Sequence, residues 1–410
     1  MIIALSSFLL GCTDFFSSPG EGEIDILWRK KDSPIYINDC FVVPVGEMLF
    51  IEPGVEVRFK SSNNSVDFMI DSLNVGMLHV RGELIAEGTS TDSIVFTCEN
   101  DRWGIIWFDS TSTGTNNLKH CKIEKARSVI RNIYGLPNLL GAISCYQTRV
   151  NISDCHISDN SMGIWSYQSE MRIEKNIIID NNNYGISSYY STNSIIANDI
   201  IDNRTGIWGE NDMNSIISNN NFIDNQKAIH VRRDSNVNII NNTFINNELQ
   251  GIELYNNTTG NIVGNIISDS DYGIICCQNT SPNITNNTIV KTSWGIKFKM
   301  DCNPLIRNCV LWNNVQAFCF MYSNKPMISY SLLQGDSLPS DMEDGGKNIF
   351  NRDPQFVNSF LDNFQLQESS PCVNAGDNNA PDLPATDTLG NPRISGPAVD
   401  IGAYEYQWER

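Results

Sequence analysis

From residue 141 to residue 317 short apolar runs alternate with polar turns, and the pattern recurs about every 22 residues. A small residue followed by an apolar one marks each recurrence: Gly163-Ile164, Gly185-Ile186, Gly206-Ile207, Ala228-Ile229, Gly251-Ile252, Gly273-Ile274, Gly295-Ile296 and Ala317-Phe318. The steps between them are 21 to 23 residues. A second marker lies upstream: Cys155, Asn176, Asn198, Asn220, Asn242, Gly264, Asn287 and Cys309. Two residues beyond each stands an apolar side chain, from Ile157 to Leu311. Apolar alternation bounded by Asn, Asp and Gly predicts short strands and tight turns. No sustained 3.6-residue stripe argues for helix. A period in this range is the signature of a solenoid. Three short strands and three turns fill one period, which is one coil of a parallel β-helix.

Stacking fixes the consequences. Residue i lies beside residue i+22 at roughly 4.8 Å, the interstrand spacing. The Ile positions become a continuous internal stack, each worth about 1.5–3 kcal/mol on burial. The Asn positions become a ladder of amides, each donating to one neighbour and accepting from the other. Alternation after the small residue sends the next position and the third inward, and the second and fourth outward.

The units Ile-x-x-Asn-x-Ile-x-x-Asn-x-x-Gly-Ile, best seen at residues 173–186, resemble the right-handed parallel β-helix repeats of the pectin-lyase-like superfamily. The resemblance implies an all-β, single-stranded right-handed parallel β-helix of about 12 coils over residues 33–335. Asp353-Pro354-Gln355-Phe356, Ser370-Pro371-Cys372, Gly390-Asn391-Pro392-Arg393 and Asp400-Ile401-Gly402-Ala403-Tyr404 resemble the C-terminal segment common to anchored bacterial β-helix proteins. Residues 336–410 are therefore expected to form a cap that closes the last coil. Gly104 to Gly141 is longer than one coil, so a loop around 125–139 is expected at a turn.

At the N-terminus, Leu9-Leu10-Gly11-Cys12 resembles a bacterial lipobox, which implies a signal peptide over 1–12 and lipidation at Cys12. Residues 13–32 then read as a tether. The apolar run is too short to span a bilayer. The expected location is the bacterial outer membrane or cell surface, by lipid anchor only, or else secretion. A formal net charge of −19 among 410 residues disfavours nucleic acid, which demands clustered Lys and Arg. The twelve cysteines fit no paired metal signature and read mainly as small buried residues, with some inter-coil disulfides as the alternative. A monomer is expected.

Two outward columns carry the candidate chemistry. One reads Trp165, Ser187, Trp208, His230, Glu253, Ile275, Lys297 and Cys319; the other reads Tyr167, Tyr189, Glu210, Arg232, Tyr255, Cys277, Lys299 and Met321. Trp165, Tyr167, Tyr189, Trp208 and Tyr255 are the expected carbohydrate contacts, since aromatic faces stack on the apolar faces of sugar rings. In the resembling superfamily this sheet lines the glycan groove. His230, Arg232, Glu253 and Lys297 are candidate catalytic groups for a polysaccharide lyase or epimerase acting on uronides. Such chemistry needs a base for the C5 proton and a cation for the carboxylate. A hydrolase would need two carboxylates at a set separation, and Glu253 and Glu210 are the only acidic pair on this face. The Asp column containing Asp180, Asp202 and Asp224 could gather a Ca²⁺ ion, or could simply face solvent at turns. The leading expectation is a surface-anchored protein that binds extracellular polysaccharide. The alternatives are the uronide enzyme and a structural envelope or adhesion spacer.

Overall fold

The computed structural model describes residues 26–60, 76–99, 102–110, 112, 114–126, 141–322 and 324–408. Cys12, the signal segment, residues 13–25 of the expected tether and positions 127–139 of the expected loop lie outside the described residues. The chain divides into two compact units, Met1–Ser194 and Ile195–Arg410. The fold is an all-β parallel solenoid of about 12 coils with about 22 residues per coil, as the periodicity predicts.

Each coil gives one strand to each of three parallel sheets. In the first unit Arg149–Ser153 pairs with Glu170–Glu174, His156–Ser158 with Ile177–Ile179, and Ile164–Tyr167 with Tyr184–Tyr189. In the second, Asn236–Ile240 pairs with Thr259–Val263, Thr243–Ile245 with Ile266–Ser268, and Gln250–Tyr255 with Tyr272–Cys277. These define the first, second and third sheets. The marker Ile residues fall in the third sheet, in register and buried: Ile143, Ile164 and Ile186 in one unit, Ile207, Ile229, Ile252, Ile274 and Ile296 in the other. The small residue before each Ile has a steric cause. A Cβ on Gly163 would lie 2.5 Å from the Gly185 carbonyl oxygen.

The amide ladder forms with one rung shifted. In the second unit Asn198 Nδ2 donates to Asn220 Oδ1 at 2.9 Å, Asn220 to Asn242 at 2.9 Å, Asn242 to Asn265 at 3.0 Å, and Asn265 to Asn287 at 3.0 Å. Each of those accepting oxygens also takes a backbone N–H, as Asn220 Oδ1 does from Asn198. The rung expected at Gly264 belongs to Asn265, because the turn at 246–249, between the second-sheet and third-sheet strands, is one residue longer than its counterpart at 224–226. A second ladder holds Asn160 and Asn181 in the first unit, and Asn203, Asn225 and Asn247 in the second. The preceding aspartates, Asp159, Asp180, Asp202 and Asp224, are turn residues with φ of 50–55°. Asp tolerates that left-handed backbone better than most residues. Among the described residues no group of three or more potential metal ligands converges.

Three boundaries differ from the sequence expectation. Ile26–Trp28 already pairs with Met48–Ile51, so the solenoid starts inside the segment expected to be a tether. Glu343–Gly346 and Ile349–Phe350 still pair with the coil before them, so it runs past 335. The C-terminal segment does not close the last coil. It lies along the outer face of the second sheet, where Leu366, Cys372 and Ile401 cover Val310 and Leu332, and Phe364 and Ala403 cover Ile266 and Val290. That outward column is apolar and has to be covered. Turn asparagines fix the segment from the side. Asn286 Nδ2 donates to Asp400 O at 2.7 Å, Asn308 Nδ2 to Asp377 O at 3.1 Å, and Asn241 Nδ2 to Thr386 O at 3.0 Å. Within it the buried Arg393 donates to the carbonyls of Ala403 and Gly402 and lies 3.5 Å from Glu405. Burial, reinforced by Asp400, pushes the Glu405 carboxyl up to about 7. Cys40 is disulfide-bonded, and ten other described cysteines form no disulfide, nine of them buried, as expected of small core residues.

Candidate functional site

The outer face of the third sheet carries the residues singled out by sequence, and its two units carry different chemistry. In the first unit the nearer outward column runs Val42, His79, Trp107, Ser144, Trp165, Ser187. Toward its end this column alternates indoles with serines, Trp107, Ser144, Trp165 and Ser187. Trp165 is 2% exposed and packs with Trp107, Met77 and Ile105. The expectation of an exposed Trp165 is thus corrected: neighbouring rungs and the flanking tyrosines cover it. The His79 ring stacks on Trp107 at 3.9 Å, and its Nε2 meets Asp109 at 2.8 Å.

The farther column is a tyrosine ladder. Tyr146, Tyr167 and Tyr189 stand in register and half-buried, against the Trp165 cluster. The rings of Tyr146 and Tyr167 stack at 5.7 Å and 17°. Trp165 lies 5.8 Å from Tyr167 at 17°, and Tyr190, 42% exposed, meets Tyr167 edge-on at 5.5 Å. Burial and then the neighbouring Tyr167 raise the Tyr146 hydroxyl above its ordinary value. Tyr146 is missing from the sequence expectation. Its coil reads Gly141-Ala142-Ile143, and the marker is Ala142-Ile143, 21 residues before Gly163-Ile164. Starting from Gly141 hides the tyrosine.

In the second unit the nearer column runs Trp208, His230, Glu253, Ile275, Lys297, Cys319, and the farther one Glu210, Arg232, Tyr255, Cys277, Lys299, Met321. The Trp208 and His230 rings stack at 4.5 Å, and the Arg232 guanidinium lies 4.7 Å from the Trp208 centroid. Glu210, 5% exposed, accepts from Arg232 at 2.9 Å and Trp208 Nε1 at 3.3 Å, and pairs with Arg233 at 2.5 Å. Glu253 accepts from His230 Nδ1 at 2.7 Å and Gln250 Nε2 at 2.6 Å, with Lys227 at 3.8 Å. Burial pushes the Glu253 carboxyl up, but the His230 hydrogen bond and the charges of His230, Lys227 and Lys299 outweigh it. The net result holds Glu253 below its ordinary value.

The structure therefore brings His230 and Glu253 together, and Arg232, Glu210 and Trp208 beside them. It does not bring Lys297 to His230. They stand three rungs apart, about 14 Å at the interstrand spacing, and Lys297 Nζ sits 4.2 Å from the Tyr272 ring centroid. Tyr255 is half-buried on the rung after Arg232. Burial pushes the Cys277 thiol up to about 11. Most of the charge on this face is compensated by a neighbour. The tyrosine ladder of the first unit is half-buried, as are Trp208 and Tyr255 of the second.

The chain matches the family described as the right-handed β-helix region, over residues 141–289 and again over 205–360. Among solved structures, the complex of XylC with xylose is 11% identical, covers 86% of this chain and 72% of that one, and has a TM-score of 0.42. Pectate lyase Pel9A is 13% identical, covers 88% of each chain, and has a TM-score of 0.39. Neither likeness bears on activity. No curated protein matches.

Proposed function

The chain belongs to the right-handed β-helix family, and from that premise we propose that it is a non-catalytic binder of extracellular polysaccharide. Its contacts are the tyrosines of the third sheet, Tyr146, Tyr167 and Tyr189, with Tyr190 at their edge. One observation supports this above the others: half-exposed phenol rings on consecutive rungs, seated on a buried Trp165 cluster. A phenol offers an apolar face and a hydroxyl at low conformational cost. Rungs repeating at ~4.8 Å hold successive rings in fixed positions. Trp165 belongs to this reading as the support beneath the ladder, while Trp208 and Tyr255 are secondary contacts in the other unit. Cys12, if lipidated, would hold the protein at a bacterial surface where such polysaccharide is met.

The test is binding to a panel of immobilised bacterial and plant polysaccharides. Wild type binds at least one, and Tyr167→Ala and Tyr189→Ala, each shown to be folded by circular dichroism, reduce binding tenfold or more. No binding to any polysaccharide would leave the spacer reading as the better one.

The uronide lyase or epimerase remains the second reading, on the strength of the 2.7 Å contact between His230 and Glu253. A carboxylate on Nδ1 fixes the imidazole tautomer and leaves Nε2 to accept a proton. Arg232 would have to neutralise the substrate carboxylate, although Glu210 already engages it. Polygalacturonate or alginate incubated with the protein would give unsaturated or epimerised product; unchanged polymer rejects this reading.

A further inference from the structure

A cavity of about 270 Å³ lies between the second sheet and the C-terminal segment of the second unit. Its apolar wall is Trp312, at the end of strand Val310–Trp312, with Phe356 of the C-terminal segment. Asn313, Asp353 and Gln367 line it with polar groups. Trp312 is half-buried and packs against both apolar clusters beneath the segment, so its ring is held in place. Its indole N–H meets no acceptor among the described residues. Lys291 is the single cation lining the cavity, and Asp362 holds it at 2.7 Å with Asp269 at 3.9 Å. The Asp353 carboxylate accepts the Gln355 N–H at 2.7 Å and has no lysine or arginine against it among the described residues.

We infer that this cavity is a second carbohydrate site, which takes a single neutral pyranose unit. The volume is at the small end for ligand sites, which run to roughly 300–1,000 Å³ for drug-sized molecules, so it suits one sugar ring rather than an oligosaccharide. A pyranose has an apolar C–H face and equatorial hydroxyls. The fixed Trp312 ring matches the face. The indole N–H, the Asn313 and Gln367 amides and the Asp353 carboxylate supply both donors and acceptors for the hydroxyls. The charge argues against a uronate: with Lys291 committed to Asp362, the wall keeps the negative charge of Asp353, which repels a sugar carboxylate. The hairpin formed by Phe356–Asn358 and Asn363–Leu366 closes one side, so a site exists only because the segment docks on the sheet instead of over the last coil.

The test uses the full chain and four probes: the methyl glycosides of glucose, xylose, N-acetylglucosamine and galacturonic acid, read by saturation-transfer NMR and by the change in tryptophan fluorescence. At least one neutral glycoside binds, and Trp312→Phe abolishes the fluorescence change. Asp353→Ala and Asn313→Ala, both at exposed positions, weaken binding tenfold or more at unchanged Tm. Tyr189→Ala leaves binding unaltered, which separates this site from the ladder. Saturation transfer to none of the neutral glycosides, or binding of the galacturonide at least as tight, overturns the inference.

Discussion

In the unit that ends at Ser194, the outward columns of the third sheet stack tryptophan, serine and tyrosine; in the unit that begins at Ile195, equivalent columns stack tryptophan, histidine, glutamate and arginine. The backbone spacing is the same. In the first, apolar rings separated by small residues collapse into a dry cluster and leave a tyrosine edge half in water. In the second, a carboxylate stands on each of two columns, Glu210 buried and Glu253 half-buried, and each gathers two or more cations or donors from its own and the neighbouring rung. A solenoid rung is a fixed distance from the next, so whatever stands on it must be satisfied by its neighbours. Rings do this by stacking and charges by pairing, and only what exceeds the neighbours' capacity is left for a ligand.

Truncation breaks the comparison most sharply. Trp165→Ala removes the centre of the dry cluster and should destabilise the first unit by about 3–5 kcal/mol, read by chemical denaturation. If it costs under ~1 kcal/mol, Trp165 is not buried as described. Glu210→Gln leaves Arg232 and Arg233 without their carboxylate. Because both guanidiniums are partly exposed, the loss should be smaller, about 2 kcal/mol.

Acid sharpens the difference. Glu253 is held below its ordinary carboxylate value, so its contribution is fully present above the unfolded value, about 4.3, and is lost as pH falls through the folded value. Wild type should therefore lose stability between pH 5 and pH 3 more than Glu253→Gln does, by on the order of 1 kcal/mol. The C-terminal segment should respond in the opposite sense. Glu405 is raised to about 7, so its contribution is present below the unfolded value and lost as pH rises through about 7. Hydrogen exchange in residues 393–405 should accelerate between pH 6 and pH 8 beyond its intrinsic rate, and Glu405→Gln should abolish the excess. The smallest effect is expected at Tyr190. Tyr190→Ala should change stability by no more than ~0.5 kcal/mol while still weakening polysaccharide binding.

Much of this was legible in the sequence. The Gly-Ile word placed the third sheet and sorted its faces correctly, because a period-2 strand on a 22-residue coil admits no other arrangement. The amide ladder was legible except at Asn265, where a longer turn moves the rung by one. Exposure was not legible. An outward position reads as solvent-facing, yet Trp165 is covered by side chains from other rungs, and local pattern carries no information about such packing. The coil containing Trp107 was hidden because Ile105 occupies the place where a small residue is expected, and the one containing Tyr146 because Gly141 precedes the true marker. The docking of residues 356–405 was also illegible, since it depends on an apolar outward column at Ile266, Val290, Val310 and Leu332 that reads from sequence as ordinary strand.

The most direct measurement is a calorimetric titration of the best-bound polysaccharide into wild type, Tyr189→Ala and His230→Ala, each shown to be folded by circular dichroism. Binding should weaken tenfold or more in Tyr189→Ala and stay within twofold of wild type in His230→Ala. Equal binding by Tyr189→Ala, with loss in His230→Ala, would place the ligand on the charged columns and contradict a tyrosine-ladder site.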